Sequence, residues 1–136
     1  MKIAKRDKLY SEISRFNQVT LHVNPGEIFQ VETELNTGDW LHSEHDEWSP
    51  EKQSWTNPTS GCIFIEGAKV GHMLAIKILD INLLNLGYTA IIPSCTPFPD
   101  WIRKKDWGKD ISKTVKIEKG HVIWSESLKI PIQPMI

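Results

Sequence analysis

Short runs of alternating apolar and polar residues, separated by glycine and proline, recur along this chain and constrain its fold more than any other feature. Residues 19–34 read VTLHVNPGEIFQVETE, two β-branched-rich runs on either side of an Asn-Pro-Gly-Glu turn, and this pattern predicts a β-hairpin. Residues 102–136 contain two further alternating segments around Lys119 and Gly120, which predict a second hairpin. We therefore expect a mainly β fold, a sandwich or barrel-like β domain with little helix.

Two apolar runs occupy the middle of the sequence, at residues 62–65 and 73–84, with a glycine-containing link between them. Two strands joined by a tight connection fit this pattern best. A helix over residues 73–86 is the competing interpretation, because the apolar spacing there satisfies both periods. The next apolar patch, within residues 87–99, is interrupted by three prolines, which confine a strand to a sheet edge or end it.

Residues 36–60 are polar, acidic and rich in tryptophan, without a sustained period, and they predict a long surface loop. Trp40, Trp48 and Trp55 recur in this loop. Exposed indoles build carbohydrate or protein contact surfaces, whereas buried ones would hold the loop against the β layer. The second interpretation is the simpler one.

The 136 residues, of which 40% are hydrophobic, predict a single globular domain covering residues 1–136. A formal net charge of -1 favours neither nucleic acid nor a membrane surface as the partner, so we expect a small molecule or another protein. The two cysteines, Cys62 and Cys95, are too few and too far apart for a disulfide framework or a Cys-x-x-Cys motif. We therefore expect buried, inert, reduced thiols. With no signal-like or membrane-spanning segment in the sequence, we expect a cytoplasmic protein.

The residues that carry a family resemblance lie at positions 57–78, NPTSGCIFIEGAKVGHMLAIKI. This stretch resembles the acetamidase/formamidase signature, in which Asn-Pro-x-Ser/Thr-Gly-Pro precedes an apolar strand, Glu-Gly-Ala, two variable residues, Gly-Asp and a second apolar strand. Upstream, Pro-Gly-Glu at residues 25–27 and Val-Glu-Thr at residues 31–33 look like the family's early hairpin. Downstream, residues 130–136 resemble the segment that leads into its central domain. The resemblance covers most of the chain from about Val19 onward.

The resemblance implies that the chain is the amino-terminal portion of an enzyme that hydrolyses short linear amides by attack of water on the carbonyl. It also implies a divalent metal, zinc or calcium, in the complete family enzyme, with metal ligands in a downstream Asp- and His-rich portion. We therefore expect the chain to be incomplete as an enzyme by itself. The apolar residues 130–136 lead us to expect a homo-oligomer, or a second chain that supplies the missing half.

Three positions depart from the family pattern. Cys62 stands where the family usually has proline, His72 where it usually has aspartate, and Leu35 where an acidic residue is expected. Because a neutral or differently shaped group cannot replace an acidic ligand or base without cost, the lost carboxylates at positions 72 and 35 weaken the expectation of retained catalysis and support an alternative function. That alternative is a non-catalytic binding or assembly module derived from the family.

Glu66 is the first candidate catalytic residue. It follows the apolar residues 63–65 and precedes Gly67 and Ala68, which are small enough to let a ligand approach closely. In amide hydrolysis such a carboxylate can act as a base toward water or hold a metal-bound water. The alternative is that Glu66 accepts backbone N–H groups in the turn before Gly71.

Glu32 and Thr33 resemble the family's Glu-Thr pair and are the other two candidate catalytic residues. A carboxylate beside a hydroxyl on a strand can position a substrate amide. The alternative is an ordinary strand with an exposed glutamate.

His42, His45, Asp46 and Glu47 form the densest set of possible metal ligands in the sequence. A His-x-x-His pair can bind zinc if a third ligand converges on it. A solvated acidic loop is the favoured interpretation, because this set matches no family motif. His72 is interpreted as a turn residue or a packed histidine.

Overall fold

The computed structural model describes residues 1–92 and 111–133, and these residues form short strands and one 3-10 helix, Pro50–Lys52. The predicted mainly β class is confirmed. The strands do not close into a barrel within the described residues. Their bounds are β1 Lys2–Ala4, β2 Val19–Val23, β3 Phe29–Val31, β4 Cys62–Ile65, β5 Leu86–Ile91, β6 Ile111–Glu118, β7 His121–Ile123 and β8 Lys129–Pro131.

The chain divides into two compact units. The first comprises residues 1–39 and 54–79, and the second comprises residues 40–53 and the described residues from Asp80 onward. The long segment at residues 36–60 therefore contributes to both units. That the whole chain is one domain stays a prediction.

Two parallel strand pairs build the first unit. β1 pairs with β3, and β2 pairs with β4 in a register that places Val23 opposite Ile65. Ala4 and Val23 are the buried apolar side chains at the carboxyl ends of β1 and β2. These two pairings set the positions of the residues that follow each strand.

The predicted hairpin at residues 19–34 is wrong in its pairing, although its turn forms. The Glu27 N–H donates to the Asn24 carbonyl at 3.0 Å, and Gly26 has a φ of 80°. The two flanking strands pair with β4 and β1 instead of with each other. A turn depends on four adjacent residues, whereas strand pairing depends on partners far along the sequence, and alternation does not identify those partners.

The second unit contains an antiparallel sheet in the order β5-β6-β7-β8. The predicted hairpin around Lys119 and Gly120 is confirmed, since β6 and β7 are paired directly across these residues. Both turn residues have positive φ, 49° and 75°, as a two-residue hairpin turn of type I′ requires. Val115 of β6 is the buried apolar residue of this sheet, and β5 and β8 lie at its edges among the described strands.

Residues 73–84 belong to no helix or strand, so both the predicted second strand and the competing helix are wrong. Most of their apolar side chains are exposed, with Ile76 and Leu84 more than two-thirds exposed. A strand requires a partner for its backbone N–H and C=O groups, and no described strand pairs with this segment. The alternating apolar pattern of this segment does not show whether such a partner strand exists.

Several predictions fall outside the described residues, namely those on the prolines of residues 93–99, on Cys95, and on Met135 and Ile136. Within the described residues, no helix has the length and apolar character needed to cross a bilayer.

Candidate functional site

Glu66 stands directly after β4, at the carboxyl end of the parallel pair β2–β4. Its N–H donates to the Val23 carbonyl at 2.8 Å, which extends the ladder by one residue. Gly67 then takes a φ of 76°, and the Ala68 N–H donates to the Ile65 carbonyl at 3.2 Å to close a turn. The Glu-Gly-Ala sequence therefore ends the strand and projects the glutamate from a fixed backbone position.

The Glu66 carboxylate contacts a histidine that is not among the residues predicted from the sequence. Glu66 Oε1 lies 2.8 Å from Nδ1 of His22, a residue of β2. The pair is accessible, with 61% of the His22 side chain and 49% of the Glu66 side chain exposed. The Phe64 ring, opposite His22 in the ladder, lies with its centroid 4.9 Å from the imidazole centroid. The structure thus places a carboxylate, an imidazole and an aromatic ring together at one strand end.

The backbone at His22 is held by a lysine from β1. Lys2 Nζ donates to the His22 carbonyl at 2.9 Å and also lies 2.9 Å from a carboxylate oxygen of Glu27. The Asn24 N–H donates to the Glu27 carboxylate, and this bond, followed by Lys2, lowers the pKa of Glu27 below its ordinary value. These contacts join β1, β2 and the turn after β2.

Glu32 and Thr33 lie just after β3, and their contacts differ from those of Glu66. The Glu32 N–H donates to the Ala4 carbonyl at 2.9 Å, and a carboxylate oxygen accepts the Arg6 N–H at 3.3 Å. Ser60 Oγ donates to the Glu32 carbonyl at 2.6 Å, which links this segment to the Asn-Pro-Thr-Ser-Gly loop. Thr33 is exposed. The polar contacts of Glu32 and Glu66 thus involve different residues of the first unit.

The Asn-Pro-Thr-Ser-Gly loop, residues 57–61, has a backbone conformation that few residue types can adopt. Asn57 has a φ of 50° and donates its N–H to the Asn36 carbonyl at 2.7 Å. Gly61 has a φ of 89°, and a Cβ at that position would lie 2.6 Å from Thr20 Cγ2. Both features require residues that tolerate positive φ, and at Gly61 the close approach also excludes a side chain. Cys62, next in sequence, is a partly buried free thiol.

The acidic loop of the second unit, residues 42–47, is held by contacts of its carboxylates with backbone N–H groups and with a lysine. Asp46 accepts the N–H groups of His42 and Ser43 at 2.8 and 2.7 Å, and these two bonds lower the pKa of its carboxyl group. The Glu44 carboxylate pairs closely with Lys116 of β6, which lowers the pKa of Glu44 and raises that of Lys116. Within residues 1–92 and 111–133, no three His, Cys, Asp or Glu side chains converge as a metal site. The geometry therefore favours the solvated acidic loop over the His-x-x-His zinc site.

The loop tryptophans Trp40 and Trp48 are buried, with 7% and 6% of their surface exposed. Trp40 makes an edge-to-face contact with Tyr88 of β5, at a centroid distance of 5.0 Å. The Trp48 carbonyl accepts the Ser112 hydroxyl of β6 at 3.2 Å. The Trp40 ring and the Trp48 backbone contact the sheet, and both indoles are buried, so the alternative of exposed contact indoles is wrong for them.

His72 is exposed and lies in a turn, where its N–H donates to the Lys69 carbonyl at 3.0 Å. This position agrees with its interpretation as a turn residue.

Comparison of the sequence with protein-family models and with curated proteins finds no match. Solved structures do match. The fold is similar to the crystal structure of a recombinant predicted acetamidase/formamidase from the thermophile Thermoanaerobacter tengcongensis, with a TM-score of 0.82 and 28% sequence identity. That match covers 98% of this chain and 42% of the other.

An acetamidase from Bacillus halodurans is also similar, with a TM-score of 0.81 and 24% identity over 96% of this chain and 42% of that one. The chain thus spans about two fifths of the length of either protein. The predicted resemblance to the amino-terminal part of this family is confirmed.

Proposed function

We propose that this chain, which has the fold of the amino-terminal part of the acetamidase/formamidase structures, forms part of a hydrolase of short linear amides. The observation that carries the proposal is the structural likeness, which extends over 98% of the chain at 28% identity. Formamide and acetamide are the proposed substrates, and the products are ammonia and the corresponding carboxylic acid.

Glu66 is the proposed essential carboxylate of the reaction. Its backbone is fixed by the ladder to Val23, and its half-exposed side chain lies at an accessible strand end. Glu32 and Thr33 are the proposed positioning groups for the substrate amide, since a carboxylate accepts and a hydroxyl donates hydrogen bonds. Thr33 is exposed and therefore accessible to a ligand.

A divalent metal, zinc or calcium, stays a proposal for the whole family-length enzyme. Catalytic zinc sites use three protein ligands, whereas Glu66 and His22 supply two donor groups that contact each other. The described residues therefore do not fit a complete metal site. No step of the proposed mechanism is assigned to a metal, and metal analysis of the purified protein tests this expectation.

The proposed cellular setting is the cytoplasm, and the proposed assembly is a homo-oligomer or a complex with a second chain. The free thiol of Cys62 is compatible with a reducing compartment. Fractionation of cells with an antibody to the chain tests the location.

A chimera tests the proposed activity directly. The portion of the Bacillus halodurans acetamidase that matches this chain is replaced by residues 1–136, and ammonia release from acetamide and formamide is measured against the unaltered parent. We expect the chimera to release ammonia, and we expect residues 1–136 alone to release none, since they span about two fifths of the parent's length.

The control is a chimera with Glu66→Gln, which keeps the size of the side chain and removes its charge. If the chimera that carries unaltered residues 1–136 folds but releases no ammonia, while the parent enzyme does, the result favours the alternative, a non-catalytic module. Robust turnover by residues 1–136 alone would contradict the proposal that further residues are needed.

A further inference from the structure

The contact between His22 and Glu66 determines which nitrogen of the imidazole carries the hydrogen. A carboxylate accepts hydrogen bonds, so the 2.8 Å contact requires that His22 Nδ1 carry the hydrogen and donate it to Glu66 Oε1. In a neutral imidazole with Nδ1 protonated, Nε2 carries a lone pair and no hydrogen. Glu66 therefore leaves His22 with one ring nitrogen able to accept a proton.

Three independent contacts fix the orientation of this imidazole. The β2–β4 ladder places His22 opposite Phe64, whose ring packs against the imidazole at 4.9 Å between centroids. Lys2 holds the His22 carbonyl, and Glu66 holds Nδ1. A histidine held at its backbone, its ring and one nitrogen has few orientations open to the other nitrogen.

The charged groups nearest His22 are a carboxylate and an ammonium, and they contact different parts of the residue. Glu66 is the carboxylate that contacts the ring, and the Lys2 ammonium contacts the backbone carbonyl and pairs with Glu27. A proton delivered to Nε2 would therefore place the imidazolium 2.8 Å from the Glu66 carboxylate, an arrangement of opposite charges. Since 61% of the His22 side chain is exposed, water has access to the ring.

We propose that His22 is a catalytic residue of this protein, whose Nε2 takes the proton from the attacking water, and that Glu66 is a positioning residue acting through it. The inference rests on the proposed function, amide hydrolysis. It assigns the proton transfer to a residue outside every motif that carried the family resemblance.

The proposed reaction has two steps, the addition of water and the loss of ammonia. The water oxygen bonds to the amide carbonyl carbon, the C=O π electrons move to the carbonyl oxygen, and one water proton passes to His22 Nε2. The tetrahedral intermediate then re-forms C=O and breaks the C–N bond, and the proton on Nε2 passes to the leaving nitrogen. Water and amide give carboxylic acid and ammonia, and His22 returns to its starting state.

The first test is the tautomer of His22 in the 136-residue chain, read from two-bond proton–nitrogen NMR correlations at alkaline pH. We expect hydrogen on Nδ1 in the unaltered chain and a shift toward hydrogen on Nε2 in Glu66→Ala. His45, which is 89% exposed in the other unit, is the internal reference and should not respond. Hydrogen on Nε2 of His22 in the unaltered chain would overturn the inference.

The second test uses p-nitrophenyl acetate, an activated acyl compound that an accessible imidazole can hydrolyse without the rest of an amidase. His22→Gln should lower the chain-dependent rate about tenfold or more, whereas His45→Gln should leave it unchanged. Equal rates for His22→Gln and the unaltered chain, or no chain-dependent rate, would overturn the inference. If ester hydrolysis depends on His22 while the chimera releases no ammonia from amides, the proposed substrate fails and the role of His22 stands.

Discussion

The Glu66 side chain makes its polar contact with His22 rather than with the backbone of its own turn. Its charge therefore adds little to the stability of the turn, which Gly67 and the Ala68 N–H already define. We predict that Glu66→Gln in the chimera abolishes ammonia release and leaves the melting temperature within about a degree of the unaltered chimera. Activity assays and calorimetry on the same samples check both parts.

Glu12→Gln, in the same unit and exposed, is the matched control for loss of one negative charge. It should change neither the activity nor the melting temperature. If Glu66→Gln lost about 1 kcal/mol or more of stability while activity persisted, Glu66 would be a structural residue of the turn.

Asp46 gives the second unit a pH-sensitive contact. The N–H groups of His42 and Ser43 lower its pKa in the folded chain, so the carboxylate stabilises the fold above the ordinary aspartate pKa of about 3.9. This contribution is lost as the pH falls through the lowered folded-state pKa. We predict that Asp46→Ala destabilises the chain at pH 7 and that the difference in unfolding free energy shrinks from about pH 4 downward.

Glu47→Ala is the control for Asp46→Ala, because Glu47 is an exposed acidic neighbour in the same loop. Denaturant unfolding at several pH values between 7 and 3 measures both variants. A difference for Asp46→Ala that does not change with pH would show that its carboxylate has the same pKa in the folded and unfolded chain.

Among single residues, the sequence identified Glu66 as a candidate and missed His22, which contacts it in the structure. Glu66 was predictable because Glu-Gly-Ala is a contiguous motif, and its glycine reports a turn with positive φ. His22 was not predictable from local pattern, because it contacts Glu66 only when β2 pairs with β4, more than 40 residues away. The alternation of β2 made His22 look like an ordinary strand residue.

At the scale of elements, turns were predicted better than strand pairings for the same reason. The Asn24–Glu27 turn and the Lys119–Gly120 turn depend on adjacent residues, and both form. The partners of β2 and β3 depend on distant segments, and the predicted hairpin between them is wrong. Residues 73–84 carry the alternation of a strand, yet no described strand pairs with them.

The turn between β6 and β7 provides a test at this scale. Gly120 has a φ of 75°, and a Cβ there would meet open space, so the cost of a side chain is conformational rather than steric. We predict that Gly120→Ala lowers the unfolding free energy by about 1 kcal/mol. Denaturant unfolding monitored by tryptophan fluorescence measures the change.

Gly87→Ala in β5 is the matched control for Gly120→Ala. Gly87 does not have the positive φ of the turn glycines, and a Cβ there would lie 3.5 Å from Ile117 Cδ1, an ordinary contact. We expect little loss of stability. An equal loss at both glycines would contradict the conformational explanation.

For the chain as a whole, β8 is the strand through which we expect association with a partner. β8 lies at an edge of the described four-stranded sheet, and Ile130 at its centre is 43% exposed. An edge strand presents unpaired backbone groups together with its side chains, and proteins usually protect such edges with charge or proline. Pro131 ends this strand, but Ile130 presents an apolar side chain at the edge.

We therefore predict that the chain associates, with itself or with a second chain, through a surface that includes β8. Ile130→Lys places a charge on that edge without removing the pairing of β7 with β8, and it should shift sedimentation toward the monomer. Ile13→Lys, at a position that is 92% exposed and far from β8 in sequence, adds the same charge as the control and should leave the sedimentation unchanged.

A version of the chain that ends at Lys129 extends the test to the whole apolar segment, and its melting temperature reports whether the sheet survives. If the unaltered chain and both lysine variants sediment as monomers of equal stability, β8 is not an interface. An interface through β8 would make the unaltered chain associate, and a charge at the centre of the strand would then remove that association.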